Sequence, residues 1–281
     1  MNDHTLTPER IKTYAEFLRR EERAAATAEK YLRDIRAFTA WLGGRPAARD
    51  AAAQWRDALL TKGLAPATVN AKLSALNGLF RFLGWEDCRV RFLKVQRRAF
   101  RDAARELTLA DYQRLLDAAQ KRGKHRLALL LEAICATGVR VSEVRFLTVE
   151  AAERRRADVT LKGKIRTILL PGKLCRKLLK YARKQKIASG EIFLTKGGNS
   201  LSRKQIWREM KGLCEAAGVK PPKVFPHNLR HLFAVTFYRA TRDIVKLADV
   251  LGHSCVDTTR IYLMTTGAEH ARQLERLGLV S

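Results

Sequence analysis

Apolar side chains recur every three or four positions through much of the N-terminal third of the chain. In the stretch TAEKYLRDIRAFTAWLGG they are separated by four, three and four positions, at Tyr31, Ile35, Phe38 and Leu42. This spacing places side chains on one face of an α-helix. We therefore predict an amphipathic helix that Thr27 caps and that Gly43-Gly44 ends.

The stretch APATVNAKLSALNGLFRFLG repeats this pattern. Its apolar seam consists of Val69, Leu73, Leu76, Phe80 and Leu83. Pro66 suits the first turn of a helix, because its missing N–H has no intrahelical partner there, and Gly84 suits the end. Residues 1–90 are accordingly predicted to form one helical domain.

Between Glu86 and Arg105 no apolar period is sustained and basic residues predominate. We predict a basic linker at 91–105 and a second domain at 106–281. The second domain opens on Thr108 and Asp111, whose spacing is that of a capping box.

The second domain predicts helices around a small β-sheet. DVTLKGKIRTILLP alternates polar and apolar residues around Gly163, as a β-hairpin does, and EIFLT at 191–195 suggests an edge strand. Helices resume at Ser202, which Gln205 follows at capping-box spacing, and a last amphipathic helix is expected through Ala268, Ala271, Leu274 and Leu277. The predicted fold class is mainly α with a small β-sheet in the second of two domains.

Charge narrows the possible partners. The 281 residues include 55 Lys and Arg against 28 Asp and Glu, which gives a formal net charge of +27. Such an excess indicates a polyanionic partner. Because the basic residues run throughout the chain rather than in a tail or one helix, nucleic acid is favoured over an anionic membrane surface.

Other compositional signals exclude several classes of protein. The longest apolar run, LALLLEAICATGV, is interrupted by Glu132 and is shorter than the roughly 20 residues that span a bilayer. No secretory signal core is present at the start, so we expect a cytoplasmic protein. The five cysteines are scattered without a CxxC pair, which favours reduced thiols over disulfides or a zinc site.

Residues on the polar faces of these elements are predicted to contact DNA. For any single one of them an ordinary solvated surface is favoured, but together, in so basic a chain, they favour phosphate contacts. They are Lys30, Arg33, Asn70 and Lys72 in the two N-terminal helices, Arg97, Arg98 and Arg101 in the linker, and Lys164 and Arg166 in the hairpin.

Four further stretches carry side chains suited to phosphate chemistry. In CATGVRVSEV, Arg140 precedes Glu143 by about one helical turn, a spacing that orients a guanidinium but also occurs in surface ion pairs. Lys162, at the hairpin tip, is either exposed and inactive or able to deliver a proton. His227 and Arg230 share a helix face in PHNLRH, where a phosphate would relieve their repulsion; a core histidine is the alternative.

The fourth stretch is DVLGHSCVDTTRIYL, in which His253 follows Gly252 and Tyr262 lies nine residues later. Two short helices around a turn would also fit a helix-turn-helix DNA reader. That interpretation leaves the other three stretches unexplained. We expect Tyr262 to present its hydroxyl for reaction rather than to be buried.

The order Arg, Lys, His-x-x-Arg, His, Tyr resembles that of the tyrosine site-specific recombinases of the phage integrase and Xer type. The resemblance extends from TAEKYLRDIRAF and ATVNAKLSALNGLFRFL to LGHSCVDTTRIYL, and so over nearly the whole chain. It implies that the six catalytic residues are Arg140, Lys162, His227, Arg230, His253 and Tyr262, with Glu143 in support. The KGKIR segment is one residue shorter than in many members, so Lys162 and Lys164 are alternatives as the acid, with Lys162 preferred.

The resemblance also implies the reaction. Tyr262 would attack a DNA phosphate to give a 3′-phosphotyrosine, the two arginines would hold the non-bridging oxygens, and the lysine would protonate the departing 5′ oxygen. Arginines and histidines would then neutralise the charge that a metal neutralises in nucleases. No metal and no cofactor are expected.

The implied partner is double-stranded DNA with inverted-repeat core sites. A tetramer on two duplexes, joined through the C-terminal helix and passing through a Holliday junction, would integrate or excise a mobile element or phage, or resolve dimers. Type IB topoisomerase-like DNA relaxation and a DNA-binding regulator are the alternative functions.

Overall fold

The structure is a computed structural model that describes residues 4–95, 103–161, 164–262, 271–272 and 275–277. The chain divides into two compact units, Met1–Arg97 and Arg98–Ser281. Both consist mostly of helices, and the one sheet among the described residues has two strands. The predicted fold class is confirmed.

Across residues 4–95, the first unit has four α-helices around an aromatic core. The rings of Phe38, Trp55 and Phe80 meet there, with Phe38 5.2 Å from Trp55 and 6.1 Å from Phe80 between ring centroids. The helices are α1 (Pro8–Arg20), α2 (Ala25–Leu42), α3 (Ala51–Thr61) and α4 (Pro66–Phe82).

The two helices predicted from hydrophobic spacing are α2 and α4. Pro66 begins α4 and Gly43 ends α2 in the left-handed conformation, as predicted. The predicted cap at Thr27 is wrong, because α2 begins at Ala25. The backbone N–H of Thr27 already donates to the Ala24 carbonyl at 2.7 Å, which places Thr27 inside the first turn.

Two asparagines of α4 form hydrogen bonds with the backbone of the segment that follows this helix. The Asn77 side chain exchanges hydrogen bonds of 2.8 and 3.0 Å with the backbone of Val90, and Asn70 does the same with Leu93 at 2.9 and 2.8 Å. Val90 and Leu93 are half-buried against the aromatic core. The start of the predicted linker is therefore held against the first unit.

In the part of the second unit that the structure describes, eight α-helices lie before and after the hairpin. Its first helix begins with the Thr108–Asp111 capping box and a later one with the Ser202–Gln205 capping box, both as predicted. The helices are α5 (Leu109–Lys121), α6 (His125–Thr137), α7 (Val149–Arg154), α8 (Gly172–Lys184), α9 (Arg203–Lys211), α10 (Pro226–Thr241), α11 (Ile244–Leu251) and α12 (Val256–Arg260).

The hairpin consists of β1 (Arg156–Leu161) and β2 (Lys164–Leu169), paired antiparallel with Val159 opposite Arg166. The predicted edge strand at 191–195 is wrong, since only isolated bridges occur there, between Thr148 and Glu191 and between Leu194 and Ser200. Ile192 and Phe193 between these bridges are buried in the core of the unit. Their burial accounts for the apolar pattern without strand pairing.

None of the helices in the described part of the chain is long and apolar enough to cross a membrane. Half of the predicted C-terminal helix, from Ala268 to Leu277, falls outside the described residues.

Candidate active site

Loops and helices of the second unit bring together five of the six predicted catalytic residues, Lys162 lying outside the described residues. Arg140 lies between α6 and the 3₁₀ helix Val141–Phe146, and Arg230 lies in the second turn of α10. His253 follows the end of α11, and Tyr262 lies just past α12.

The Tyr262 ring is buried, with 4% of the residue exposed, so the expectation of an unburied tyrosine is wrong. It packs in a small apolar cluster with Ala234, Leu247 and Leu251. The cause is local: α12 is short, and the turn after it closes with a hydrogen bond of 2.9 Å from the Tyr262 N–H to the Thr259 carbonyl. This turn brings the ring to α10 and α11.

Arg230 is buried, with 3% of the residue exposed, and its guanidinium is held by backbone carbonyls. One nitrogen donates to the Gly138 carbonyl, and another donates to the Leu251 carbonyl at 2.8 Å. These carbonyls stand at the C-terminal ends of α6 and α11, where the helix dipole favours a cation. Burial and the nearby Arg140 cation lower the pKa of Arg230 to about 10, although the Tyr262 phenol opposes this shift.

His253 connects Arg230 to α12. Its Nε2 lies 3.0 Å from an Arg230 nitrogen and its Nδ1 lies 2.8 Å from Oγ1 of Thr259. A guanidinium has only donors, so Nε2 must accept; Nδ1 then carries the proton and donates to Thr259. Burial and the cations of Arg230 and Arg140 lower the pKa of His253 to about 4, which keeps the imidazole neutral near pH 7.

Glu143 is the buried carboxylate of the site and binds two arginines. Oε1 lies 2.9 Å from an Arg140 nitrogen, and Oε2 lies 2.6 Å from an Arg166 nitrogen. Burial alone would raise the pKa of Glu143, but hydrogen bonds from Arg140 and the charge of Arg166 outweigh it and hold that pKa below its usual value. The carboxylate therefore stays ionised and orients Arg140, which also donates to the Gly252 carbonyl at 3.3 Å.

Three imidazoles surround Tyr262. The ring centroids of His227 and His253 lie 6.0 and 5.8 Å from that of Tyr262, and the His253 ring is nearly parallel to it, at 9°. His231, which the sequence analysis missed, is nearer, at 5.3 Å. Its position four residues after His227 puts both on one face of α10, and that spacing was the available signal.

The remaining predicted site residues are placed as follows. Lys162, Arg97, Arg98 and Arg101 fall outside the described residues, and only the backbone of Lys164 is described. Arg33 is exposed, Asn70 is bound to Leu93, and Lys30 and Lys72 bind Asp34. Arg166 is turned inward against Glu143.

One group of metal-ligand type lies in the first unit. Sγ of Cys88 is 3.4 Å from Nδ1 of His4, and Oδ1 of Asp87 is 3.9 Å from Nε2. The sulfur and the carboxylate thus approach opposite edges of the imidazole. Burial, followed by the nearby Asp87, raises the pKa of Cys88 to about 11, and its thiol donates to the Ala47 carbonyl at 3.0 Å. These contacts are those of ordinary side-chain packing.

The site combines the Tyr262 phenol with arginine cations that outnumber the neighbouring carboxylates among the described residues. Arg140 and Arg166 both bind Glu143, whereas Arg230 forms no ion pair among the described residues and is held by backbone carbonyls. An oxyanion would supply the missing negative charge and accept from guanidinium donors. A phenol, several imidazoles and guanidiniums that can bind an oxyanion are groups that a phosphoryl-transfer site can use.

Comparison with known proteins shows the family to which the chain belongs. Residues 105–268 match the Phage integrase family, and residues 11–87 match a domain described as "Phage integrase, N-terminal SAM-like domain". The tyrosine recombinase XerA of Pyrococcus furiosus is 30% identical over 100% of this chain and 98% of its own length. The tyrosine recombinase XerC of Erythrobacter litoralis is 29% identical over 90% of this chain and 86% of its own.

Solved structures share the fold. The Tn1549 transposon integrase in complex with transposon right end DNA has a TM-score of 0.72 at 18% identity, covering 96% of this chain and 99% of that one. A lambda integrase dimer bound to a COC′ core site also has a TM-score of 0.72 at 18% identity, with 92% and 78% covered. At these identities the likeness concerns the fold.

Proposed function

The chain belongs to the phage integrase family of tyrosine recombinases, and from that membership and the site geometry we propose that Tyr262 cuts and rejoins DNA at specific sites. The observation that carries the proposal is the position of the Tyr262 ring, between three imidazoles and beside the buried Arg230 guanidinium. A structural tyrosine needs no such surroundings, whereas a phenol that attacks a phosphate does.

In the proposed reaction, Tyr262 Oη attacks the scissile phosphorus and forms a 3′-phosphotyrosine, while the bond from phosphorus to the 5′ oxygen breaks. A second attack, by a 5′-hydroxyl, reverses the chemistry and releases the tyrosine. Because a phenol with a pKa of about 10 is a better leaving group than an alcohol, the covalent ester retains the energy needed for rejoining.

The proposed phosphate-binding site lies between Arg140 and Arg230. Both guanidiniums are fixed before DNA arrives, Arg230 by the Gly138 and Leu251 carbonyls and Arg140 by Glu143. Preorganised donors need no rearrangement as charge develops on the non-bridging oxygens, which is the largest electrostatic contribution available to such a site.

Protons move at both ends of the reaction. His227 is the exposed imidazole beside Tyr262, and we assign it the phenol proton or a share in phosphate binding. His253 is neutral, and its Nε2 would donate to a phosphate oxygen only after it releases Arg230 and the ring proton moves from Nδ1 to Nε2. Lys162, with Lys164 as the alternative, is proposed to protonate the departing 5′ oxygen.

The proposed partner is double-stranded DNA with inverted-repeat core sites. The similar transposon integrase is described in complex with transposon end DNA, and the lambda integrase is described as a dimer on a core site. We propose by analogy that protomers of this chain assemble on DNA as a tetramer on two duplexes through the C-terminal helix. Integration or excision of a mobile element and dimer resolution are both compatible with the site.

The experiment that tests the proposal uses a nicked suicide substrate carrying a candidate core site, which traps the covalent intermediate. The native chain should give a protein–DNA adduct stable to denaturant, and Tyr262→Phe should bind the same DNA without forming it. Tyr238→Phe is the matched control, because Tyr238 packs against the same apolar cluster and should keep the adduct. An adduct that persists in Tyr262→Phe would place the nucleophile elsewhere.

Metal dependence and function are tested with the same substrate. Cleavage should continue in excess EDTA, since arginines and histidines supply the charge neutralisation; abolition there would contradict the metal-free reaction. A recombinase should exchange strands between paired sites, whereas a topoisomerase would relax supercoiled DNA without a specific site. A DNA-binding regulator would form no adduct.

A further inference from the structure

Arg166 is buried on a strand whose neighbouring side chains are exposed. It lies in β2 with a side chain that is 13% exposed, whereas Ile165 and Leu169 of the same strand are 79% and 76% exposed. Alternation along a strand sends Arg166 to the inner face of the hairpin, where an arginine needs specific partners.

Those partners belong to the active site. One Arg166 nitrogen lies 2.6 Å from Oε2 of Glu143, the oxygen that also accepts from the Arg140 backbone N–H at 2.8 Å. The other terminal nitrogen donates to the Val250 carbonyl at 3.3 Å, in the last turn of α11. One guanidinium thus joins β2 to the carboxylate that orients Arg140 and to the helix that ends before His253.

Gly252 is shaped to this arrangement. Its φ is +63°, and a Cβ built on it would lie 2.5 Å from Cδ of Arg166 and 2.9 Å from a terminal nitrogen. The arginine therefore lies directly on the backbone of Gly252, whose carbonyl accepts from Arg140 and whose neighbour in the chain is His253. A side chain at position 252 would overlap the Arg166 side chain, so this arrangement favours glycine there.

We propose that Arg166 is a positioning residue for the recombination reaction, holding Arg140, through Glu143, and the Gly252-His253 turn in one fixed arrangement. The sequence suggested instead that Arg166 contacts DNA. Its terminal nitrogens already serve Glu143 and Val250, and its side chain is nearly covered, so a phosphate would have to displace an ion pair at 2.6 Å. The inference rests on the proposed function, because its main readout is cleavage.

The test compares Arg166→Gln and Arg166→Lys with Arg156→Gln. Arg156 lies on the other strand of the same hairpin with a side chain that is 57% exposed, and its ion pair with Asp158 is 3.6 Å long, so its loss removes the same charge from the surface. Single-turnover cleavage is measured at saturating protein, DNA affinity is measured in a Tyr262→Phe background, and thermal unfolding monitors the fold.

We expect Arg166→Gln to bind DNA within about threefold of the native affinity and to cleave about 100-fold more slowly, as misplaced catalytic groups do. Arg166→Lys keeps the charge and the reach to Glu143 but not the second contact, so an intermediate rate is expected. Arg156→Gln should cleave at the native rate. If Arg166→Gln does not fold, the slower cleavage of Arg166→Lys decides the matter.

Coupling to His253 separates positioning from a direct phosphate contact. Because Arg166 acts in part through the His253 turn, adding Arg166→Gln to a His253→Ala chain should slow cleavage by at least about tenfold less than it does in the native chain; the remaining loss reflects Arg140, and groups that act as a unit are not additive. Independent phosphate contacts would multiply their effects. A full multiplicative loss, a DNA affinity that falls in step with the cleavage rate, or unchanged cleavage by Arg166→Gln would each overturn the proposal.

A readout without catalysis completes the design. In DNA-free protein with labelled histidines, Arg166→Gln should shift the ring resonances of His253, assigned through His253→Gln, whereas Arg156→Gln should not. An unmoved His253 signal would overturn the proposal. Absence of any adduct in the native chain would instead contradict the proposed function, so the two failures are distinguishable.

Discussion

Nδ1 of His253 lies 2.8 Å from Oγ1 of Thr259, and the carbonyl of the same threonine accepts the Tyr262 N–H at 2.9 Å. Thr259 therefore holds the imidazole, whose tautomer Arg230 sets, and directs the chain that carries the phenol. We predict that Thr259→Val slows single-turnover cleavage by about 10- to 100-fold without weakening DNA binding, because catalytic groups lose their alignment. Adduct formation on a nicked substrate measures this loss.

Two variants check that the Thr259 hydroxyl is responsible. Thr259→Ser retains the hydroxyl and should cleave at close to the native rate. Thr258→Val makes the same change at the neighbouring exposed position and should have no effect. Equal losses in Thr258→Val and Thr259→Val would assign the effect to α12 as a whole.

The depressed pKa of His253 predicts how stability depends on pH. In the folded chain this pKa is about 4 rather than 6.5, owing to burial and then to Arg230 and Arg140. Between these two pH values, His253 is protonated in the unfolded chain but neutral in the folded chain. The contribution of His253 is thus fully present above pH 6.5 and is lost as pH falls towards 4.

His253→Gln isolates this effect, because glutamine does not titrate. The difference in unfolding free energy between the native chain and His253→Gln should shrink by about 1–2 kcal/mol from pH 7 to pH 4.5, after allowance for solvent screening. Urea denaturation at a series of pH values measures it. A difference that stays constant with pH would show that His253 has an ordinary pKa in the folded chain.

The backbone carbonyl of Gly138 accepts a hydrogen bond from Arg230. A substitution of Gly138 should therefore lower both the free energy of unfolding and the cleavage rate. Its φ is +64°, and an added Cβ would lie 2.5 Å from Cδ1 of Phe233. We expect Gly138→Ala to lower the free energy of unfolding by about 2–5 kcal/mol, through left-handed strain and overpacking. Its displaced carbonyl should also slow cleavage.

Gly123→Ala is the matched control for Gly138→Ala. Gly123 has a φ of +66°, also follows a helix, and has nothing within 4 Å of an added Cβ. It therefore bears only the conformational strain, about 1–2 kcal/mol, with cleavage unchanged. Chemical denaturation and suicide-substrate cleavage measure the pair, and equal losses would argue against the contact with Phe233.

Local signals in the sequence predicted helices and the hairpin, but not which side chains at their ends turn inward. Helical spacing found α2 and α4, and capping boxes found the starts of α5 and α9, because these signals depend on residues a few positions apart. The strand at 191–195 failed because Ile192 and Phe193 are apolar through burial against helices, which a short run cannot distinguish from strand pairing.

Motif order identified Arg140, Arg230, His253 and Tyr262 as residues to seek in one site, yet their surroundings depend on contacts distant in sequence. The partner of Arg230 at Gly138 is 92 residues away and that of Arg140 at Gly252 is 112 residues away. The inward turn of Arg166 follows from such contacts, and although a local turn directs the Tyr262 ring inward, the apolar residues that cover it lie on α10 and α11.

Asp34 is a buried carboxylate between two lysines that the sequence suggested would face DNA. Nζ of Lys30 and Nζ of Lys72 each lie 2.9 Å from it. Burial alone would raise the pKa of Asp34, but the hydrogen bonds from Lys30 and Lys72 outweigh it and lower that pKa. The carboxylate thus remains charged and neutralises part of the lysine charge within the first unit.

This pairing predicts that Lys72 contributes more to stability than to DNA binding. Because the loss of one partner leaves a buried charge less compensated, Lys72→Gln should lower the free energy of unfolding by about 1–3 kcal/mol. Its effect on the slope of log affinity against log salt should be well below the roughly 0.9 expected per phosphate contact. Arg33→Gln, at an exposed position of α2, should show the reverse: unchanged stability and a slope reduced by about 0.9. Denaturation and salt titrations of DNA binding measure both variants. A full unit of slope lost with Lys72→Gln would mean that DNA draws the lysine away from Asp34.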